Sequence, residues 1–118
     1  NLTTITGNDY LSVVAMMLPT NDGFIGLNGI QIPTTAGTYT YTLNAYDAGT
    51  EANDELASNI PALATGSGAT GINTSAEGFV HIHRGNIGDF DSSGGVSDLN
   101  AQTDRFLNPV ASVLITVK

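Results

Sequence analysis

The chain has 118 residues, of which 41% are hydrophobic, only 12% are charged and none is cysteine. This length predicts a single domain over residues 1–118. Eleven acidic residues against three basic ones give a formal net charge of -8. That excess excludes the basic surface that nucleic-acid binding requires, and it disfavours direct binding to anionic membranes. The lack of cysteine excludes disulfides, thiolate metal sites and cysteine nucleophiles.

The polar part of the sequence is mainly Gly, Thr, Asn and Ser, and residues that favour helices are scarce. No apolar run approaches the roughly 20 residues of a transmembrane helix. The chain begins at Asn1 without a signal peptide. We therefore expect a mature or excised fragment of a secreted or cell-surface β protein.

The first strand signals lie near the N-terminus. Residues 2–6 predict an edge strand, and the near-continuous apolar run at residues 11–18 predicts a central strand. A turn at residues 19–23, which contains proline and glycine, leads into a short strand at residues 24–27.

The clearest strand signal lies at residues 38–45. Threonines there alternate with Tyr39, Tyr41, Leu43 and Ala45, which predicts one face on a core and one in water.

Two further strands are predicted, at residues 79–83 and 110–117. Short strands separated by turns, without the spacing of βαβ units, favour an all-β, antiparallel sandwich. The long segments between the strands are predicted loops. They cover residues 47–59, with one helical turn at residues 51–57, then residues 62–76, which we expect to be mobile, and residues 85–100.

Two turns carry acidic residues directly after predicted strands. Asp22 lies in the first turn and Asp47 in the second, where Gly49 allows the chain to turn so that Glu51 reaches back. Calcium needs six to eight oxygens at ~2.3–2.6 Å, and loops at one end of a sandwich can supply them. Further oxygens are available from Asn53 and Asp54. In the alternative interpretation, Asp47 caps its own turn and Glu51 is solvated.

The same two turns resemble a known family. Residues 19–26 read Pro-Thr-Asn-Asp-Gly-Phe-Ile-Gly, and residues 46–51 read Tyr-Asp-Ala-Gly-Thr-Glu. Together they resemble the spondin domain of F-spondin and mindin. The bacterial members are the more similar, since they also carry segments like residues 77–85 and 108–111.

The resemblance implies an antiparallel β-sandwich of about eight strands, akin to calcium-dependent lipid-binding domains, with one Ca²⁺ on loop carboxylates. By position these carboxylates are Asp22, Asp47 and Glu51. The chain departs from animal members in having Glu51 where they usually have Asp and Gly23 where they have an aromatic residue, and in lacking cysteine. The resemblance also implies a secreted, extracellular protein of bacterial origin.

His81 and His83 are two residues apart in a predicted strand, so their imidazoles share a face. This arrangement suits copper or zinc if a carboxylate such as Glu77 or Asp89 assists, because the chain has no third histidine. The alternative is that the rings form hydrogen bonds within the sheet. The missing histidine ligands argue against dismutase activity.

Residues 89–94, Asp-Phe-Asp-Ser-Ser-Gly, resemble the start of an EF-hand loop. Asp89 and Asp91 would be ligands of a second calcium, but the twelfth position is Asn100 rather than glutamate. Such clusters are also common in turns.

No catalytic constellation is evident. No serine lies in a Gly-x-Ser-x-Gly pattern, and the single lysine is Lys118, which leaves no phosphate-binding loop. We therefore expect an extracellular, calcium-binding adhesion or matrix module with a protein or glycan partner, not an enzyme. The alternatives are a structural subunit that assembles with copies of itself, and a redox protein with a metal on His81 and His83.

Overall fold

The regular structure consists of β-strands. A computed structural model describes residues 2–61, 63–64, 71, 74–91 and 94–118. Its strands are β1 (Tyr10–Met16), β2 (Gly23–Gln31), β3 (Gly37–Asp47), β4 (His81–Ile82) and β5 (Ala111–Val117). The described residues contain no helix, and so none that is long and apolar enough to cross a membrane.

Strand β3 is the strand to which the others attach. All pairings are antiparallel, in the order β1-β2-β3-β4, with β5 also paired to β3. The C-terminal part of β3 pairs with β2 and β4, whereas its N-terminal part, from Gly37 to Leu43, pairs with β5. The end of β3 at Asp47 is therefore flanked by two other strands.

The alternation in β3 is as predicted. Leu43 and Ala45 are 1% and 0% exposed, and their neighbours Thr42 and Asn44 face solvent. The prediction of an all-β, antiparallel fold is confirmed.

The N-terminal predictions need correction. The apolar run forms β1, but this strand lies at the end of the described sheet rather than at its centre, and Val14 and Met16 are largely exposed. Residues 2–6 form no strand, because the chain turns at this point: the amide of Asn8 donates to the carbonyl of Ile5 at 3.0 Å.

The predicted helical turn at residues 51–57 is wrong. Glu55 has a φ of 57°, which a right-handed helix does not allow, and the amide of Leu56 donates to the carboxylate of Asp54 at 3.1 Å. Local side-chain hydrogen bonding therefore replaces the helical bonds in this loop.

Strand lengths and loops differ in detail from those predicted from the sequence. β2 extends to Gln31 through a bulge beside Ser12, whereas the strand predicted at residues 79–83 contains only His81 and Ile82. The loop at residues 85–100 contains one isolated bridge, between Asp89 and Asn100. The loop predicted at residues 62–76 lies largely outside the described residues.

The core is small and the sheet is largely uncovered. Leu43, Ala45, Ile60 and Leu99 are at most 2% exposed, whereas Leu114 of β5 is 64% exposed. The radius of gyration is 17.3 Å, compared with about 13.5 Å for a compact domain of this length. The described residues therefore form an open sheet, and the second layer of the expected sandwich is not among them.

Because Leu43 lies in the small core, we predict that Leu43→Ala lowers the free energy of unfolding by about 2–5 kcal/mol. Leu114→Ala removes the same atoms from an exposed position in the paired strand, and we expect it to cost no more than about 0.5 kcal/mol. Urea unfolding monitored by circular dichroism measures both. Equal losses in the two variants would contradict this location of the core.

Candidate metal centre

Three neighbouring strands bring acidic and imidazole side chains to one end of the sheet. Gly23 begins β2 opposite Asp47, and His81 of β4 lies opposite Asp47 on the other side of β3. Asp22 immediately precedes β2, and its carbonyl accepts the amide of Ala48 at 3.3 Å. The sheet therefore places Asp22, Asp47 and His81 together, although they are far apart in sequence.

Asp22 fastens the loop after β3 to the start of β2. Its Oδ2 accepts the amide of Thr50 at 2.7 Å, the Thr50 hydroxyl at 2.8 Å and the amide of Glu51 at 3.0 Å. The residue is only 9% exposed, and its Oδ1 is buried with no hydrogen-bond partner among the described residues. Buried carboxylate oxygens normally have partners, so Oδ1 is suited to bind a cation.

Asp47 is fully buried. Its Oδ1 accepts the amide of Gly49 at 2.7 Å, and its Oδ2 accepts the side-chain amide of Asn53. Burial raises the pKa of Asp47, but the hydrogen bonds from Asn53 and Gly49 and the charges of His81 and His83 outweigh it and hold the pKa below its ordinary value. Asp47 is therefore an ionised, oriented carboxylate.

Glu51 is the least stabilised of these carboxylates. Its Oε2 is buried without a hydrogen-bond partner in the described part of the chain, and its carboxylate occupies the space that a side chain at Gly71 would need. Burial raises the pKa of Glu51, and the charges of Asp22 and Asp54 raise it further. No lysine or arginine of the described chain forms an ion pair with Asp22, Asp47 or Glu51.

Gly49 brings a fourth segment to the site. It has a φ of 67°, and a Cβ there would overlap the backbone of Phe79. The amide of Gly78 donates to the Gly49 carbonyl at 2.9 Å, which holds the segment before β4 against the turn. Only glycine permits this approach without strain, and the approach places Glu77 beside Asp47.

Asp47, Glu77 and His81 form a group that could hold a metal ion, since one ligand atom from each lies within 4.8 Å of the others. His81 Nε2 is 3.7 Å from Asp47 Oδ1 and 4.0 Å from Glu77 Oε1. Within the described residues, Asp22 and Glu51 lie next to this group rather than in it, so the predicted trio of Asp22, Asp47 and Glu51 does not converge this closely.

His83 has a different role from His81. It is 3% exposed, its Nδ1 accepts the amide of Gly85 at 2.9 Å, and its ring lies 5.1 Å from that of Phe106. Burial lowers the pKa of His83 more than Asp47 and Asp22 raise it. The ring is therefore neutral at pH 7, with its proton on Nε2, and it packs as a core residue.

The two other predicted loop ligands have partners already. The side-chain amide of Asn53 donates to Asp47, and the Asn53 carbonyl accepts Arg84 at 3.1 Å. Asp54 accepts the side-chain amides of Asn21 at 3.0 Å and Asn59 at 2.6 Å. These contacts order the loop around the site.

Asp89 and Asp91 lie in a separate loop. The Asp89 carboxylate accepts the amides of Asp91 at 2.9 Å, Val96 at 2.9 Å and Ser97 at 3.1 Å. These hydrogen bonds lower the pKa of Asp89, and the bond from Asp91 has the largest effect. Asp89 organises this turn through backbone contacts and does not join the histidines, as the assisted copper or zinc site would require.

Glu55 has a structural role that the sequence did not predict. It is 6% exposed, and its carboxylate accepts the amides of Ile87 at 2.7 Å and Gly88 at 2.8 Å and the Ser97 hydroxyl at 2.8 Å. Glu55 thereby joins the two long loops. Its partners lie more than thirty residues away, so no local pattern indicated the role.

Comparisons of this chain with protein-family models, with curated proteins and with solved structures found no match. The resemblance to the spondin domain therefore stays a prediction. The cation site is inferred from the contacts and burial of its own residues.

We predict that Glu51→Gln stabilises the metal-free protein at pH 7. A carboxyl group whose pKa is higher in the folded than in the unfolded state favours folding at low pH, and that contribution is lost as pH rises from its unfolded pKa of about 4.3 through the folded one. Glutamine does not ionise, so the variant does not lose this stability as pH rises. Its higher free energy of unfolding relative to wild type should therefore vanish below about pH 4. Urea unfolding in chelator at both pH values measures it.

The control is Asp9→Asn, which removes the same charge at the opposite, exposed end of β1 and should leave stability nearly unchanged. A fall in stability at pH 7 for Glu51→Gln would show that its carboxylate stabilises the metal-free fold.

Proposed function

We propose that this chain is a calcium-binding β domain that serves as an extracellular adhesion or matrix module rather than as an enzyme. The observation that carries the proposal is the pair of buried oxygens at the end of the sheet, Asp22 Oδ1 and Glu51 Oε2, which have no hydrogen-bond partner among the described residues. Neither carboxylate has a basic partner in the described part of the chain, and the protein has a net charge of -8.

The donor atoms favour calcium among the common hard cations. Asp22 and Glu51 offer carboxylate oxygens from a turn and a loop that hydrogen bonds hold at the same end of the sheet. Ca²⁺ accepts irregular sets of six to eight oxygens, whereas Mg²⁺ demands a near-ideal octahedron and gives up its waters reluctantly. Burial and then the charges of Asp22 and Asp54 raise the pKa of Glu51, and bound calcium would offset both effects.

Calcium would order the loops beside the site, and these loops form the proposed binding surface. Asp22 ties Thr50 and Glu51 to the start of β2, so neutralising its second oxygen would stabilise the same loop. An extracellular module can rely on a weak site, with a Kd on the order of 0.1–1 mM, because calcium is abundant outside cells. The partner of such a surface would be a protein or a glycan, and we place the module in a secreted bacterial protein of the spondin type.

The sandwich of about eight strands is part of the same proposal. Val14, Met16 and Leu114 are at least half exposed on strands of the described sheet. Apolar strand faces of this kind are normally covered by a second layer. Their exposure supports a second layer packed against this sheet.

We predict that millimolar calcium raises the melting temperature of the chelator-treated protein and that magnesium does not. Binding to the folded state alone contributes about 2.7 kcal/mol at 100 times Kd, or on the order of 10 °C for a domain of this size. Asp22→Asn keeps the shape of the side chain but removes its charge, so it should abolish most of the rise.

Differential scanning calorimetry measures these shifts, with Asp9→Asn as the charge-matched control that keeps the full rise. A rise of normal size in Asp22→Asn, or an equal rise with magnesium, would contradict the calcium site.

A second candidate function is self-assembly into a filament or layer. The observation that favours it is the same open sheet, in which Tyr10, Val14 and Met16 of the outermost described strand are exposed. Exposed apolar strands at a sheet edge pair readily with another copy.

If the chain assembles through β1, size-exclusion chromatography with light scattering should show species larger than the 12.2 kDa monomer, and Val14→Glu should return them to monomers. Thr42→Glu adds the same charge on β3, outside the edge strand, and should leave the assembly intact. A monomer at all concentrations would rule this function out.

A further inference from the structure

The proton position on His81 follows from its local contact. His81 Nδ1 is 3.0 Å from the carbonyl oxygen of Ile82. A carbonyl oxygen can only accept, so Nδ1 carries the hydrogen and Nε2 of the neutral ring presents a lone pair. This is the opposite tautomer to that of His83, whose Nδ1 accepts the amide of Gly85.

The His81 lone pair faces two carboxylates. Nε2 is buried, has no hydrogen-bond partner in the described parts of the chain, and is 3.7 Å from Asp47 Oδ1 and 4.0 Å from Glu77 Oε1. A lone pair opposed to two anionic oxygens is unfavourable unless a positive charge lies between them.

The distances suit a shared metal ion rather than a shared proton. A charge-assisted hydrogen bond would bring nitrogen and oxygen to about 2.7–2.9 Å. In a tetrahedral site, two ligand atoms that each lie about 2.1 Å from one zinc ion are about 3.4 Å apart, so both observed separations are within a few tenths of an ångström of what a bound ion requires.

The surrounding contacts orient all three ligands. The hydrogen bond from His81 Nδ1 to the Ile82 carbonyl is the outer contact that metal-binding histidines usually make. Asn53 and Gly49 hold the Asp47 carboxylate, and the Gly78–Gly49 hydrogen bond holds the segment that carries Glu77.

We propose that Asp47, Glu77 and His81 form a second cation site, which binds a divalent metal of the zinc class. One imidazole nitrogen and two carboxylate oxygens suit Zn²⁺, whereas calcium takes oxygen ligands almost exclusively. Bound zinc connects the segment before β4 to the end of β3. The site is distinct from the calcium site at Asp22 and Glu51, whose residues lie next to this group rather than in it.

The test is calorimetric titration of the chelator-treated protein with Zn²⁺ alone. Wild type should bind one equivalent, and Glu77→Gln and His81→Asn should each weaken binding about tenfold or more. Glu77 is exposed, so its replacement should not disturb folding. Asp9→Asn is the charge-matched control and should bind as wild type does. Unchanged affinity in both ligand variants would overturn the proposal.

Nitrogen NMR of the two imidazoles gives an independent readout. Zinc should shift the Nε2 resonance of His81 strongly and leave that of His83 nearly in place, since His83 Nε2 carries a proton. A shift confined to His83, or none at all, would overturn the assignment.

The variants also separate this site from the calcium site. Asp22→Asn should lose the calcium-induced rise in melting temperature and keep zinc binding, whereas Glu77→Gln should do the reverse. Loss of both zinc binding and the calcium-induced rise in each of the two variants would overturn the proposal of two sites, because both ions would then depend on the same ligands.

Discussion

The carboxylate of Asp22 holds the loop after β3 against the start of β2, and the geometry of this end of the sheet depends on that contact. Three donors from Thr50 and Glu51 converge on one oxygen, and the other oxygen is buried without a partner in the described residues. Because the loop is fixed in this way, Glu51 lies near Asp22 despite their like charges. The fold thus keeps together carboxylates that repel one another, which is the arrangement a cation stabilises.

The acidic residues of this chain have two different roles. Glu55 and Asp89 satisfy their oxygens with backbone amides and a hydroxyl, so each substitutes for regular structure in a chain that has long loops. Asp22 and Glu51 each keep one buried oxygen that no described residue contacts through a hydrogen bond. Composition alone does not separate the two kinds, since both are carboxylates in loops rich in glycine.

Much of the sheet could be predicted from the sequence, because alternation in β3 reports directly which side chains face the core. The position of β1 at the end of the described sheet could not be predicted, since an apolar run indicates burial but not where its strand lies in the sheet. The nearness of Asp22 to Asp47 followed from their positions at strand ends. The contribution of Glu77 to the ligand group depends on the close approach at Gly49, and the opposite tautomers of His81 and His83 depend on contacts that spacing does not encode.

A crystal structure of the protein grown with calcium would show whether the cation site is occupied. We expect an ion within about 2.3–2.6 Å of Asp22 Oδ1 and Glu51 Oε2, with the hydrogen bonds from Thr50 to Asp22 unchanged. Protein donors or water bonded to both oxygens in the presence of millimolar calcium, with no ion between them, would contradict it.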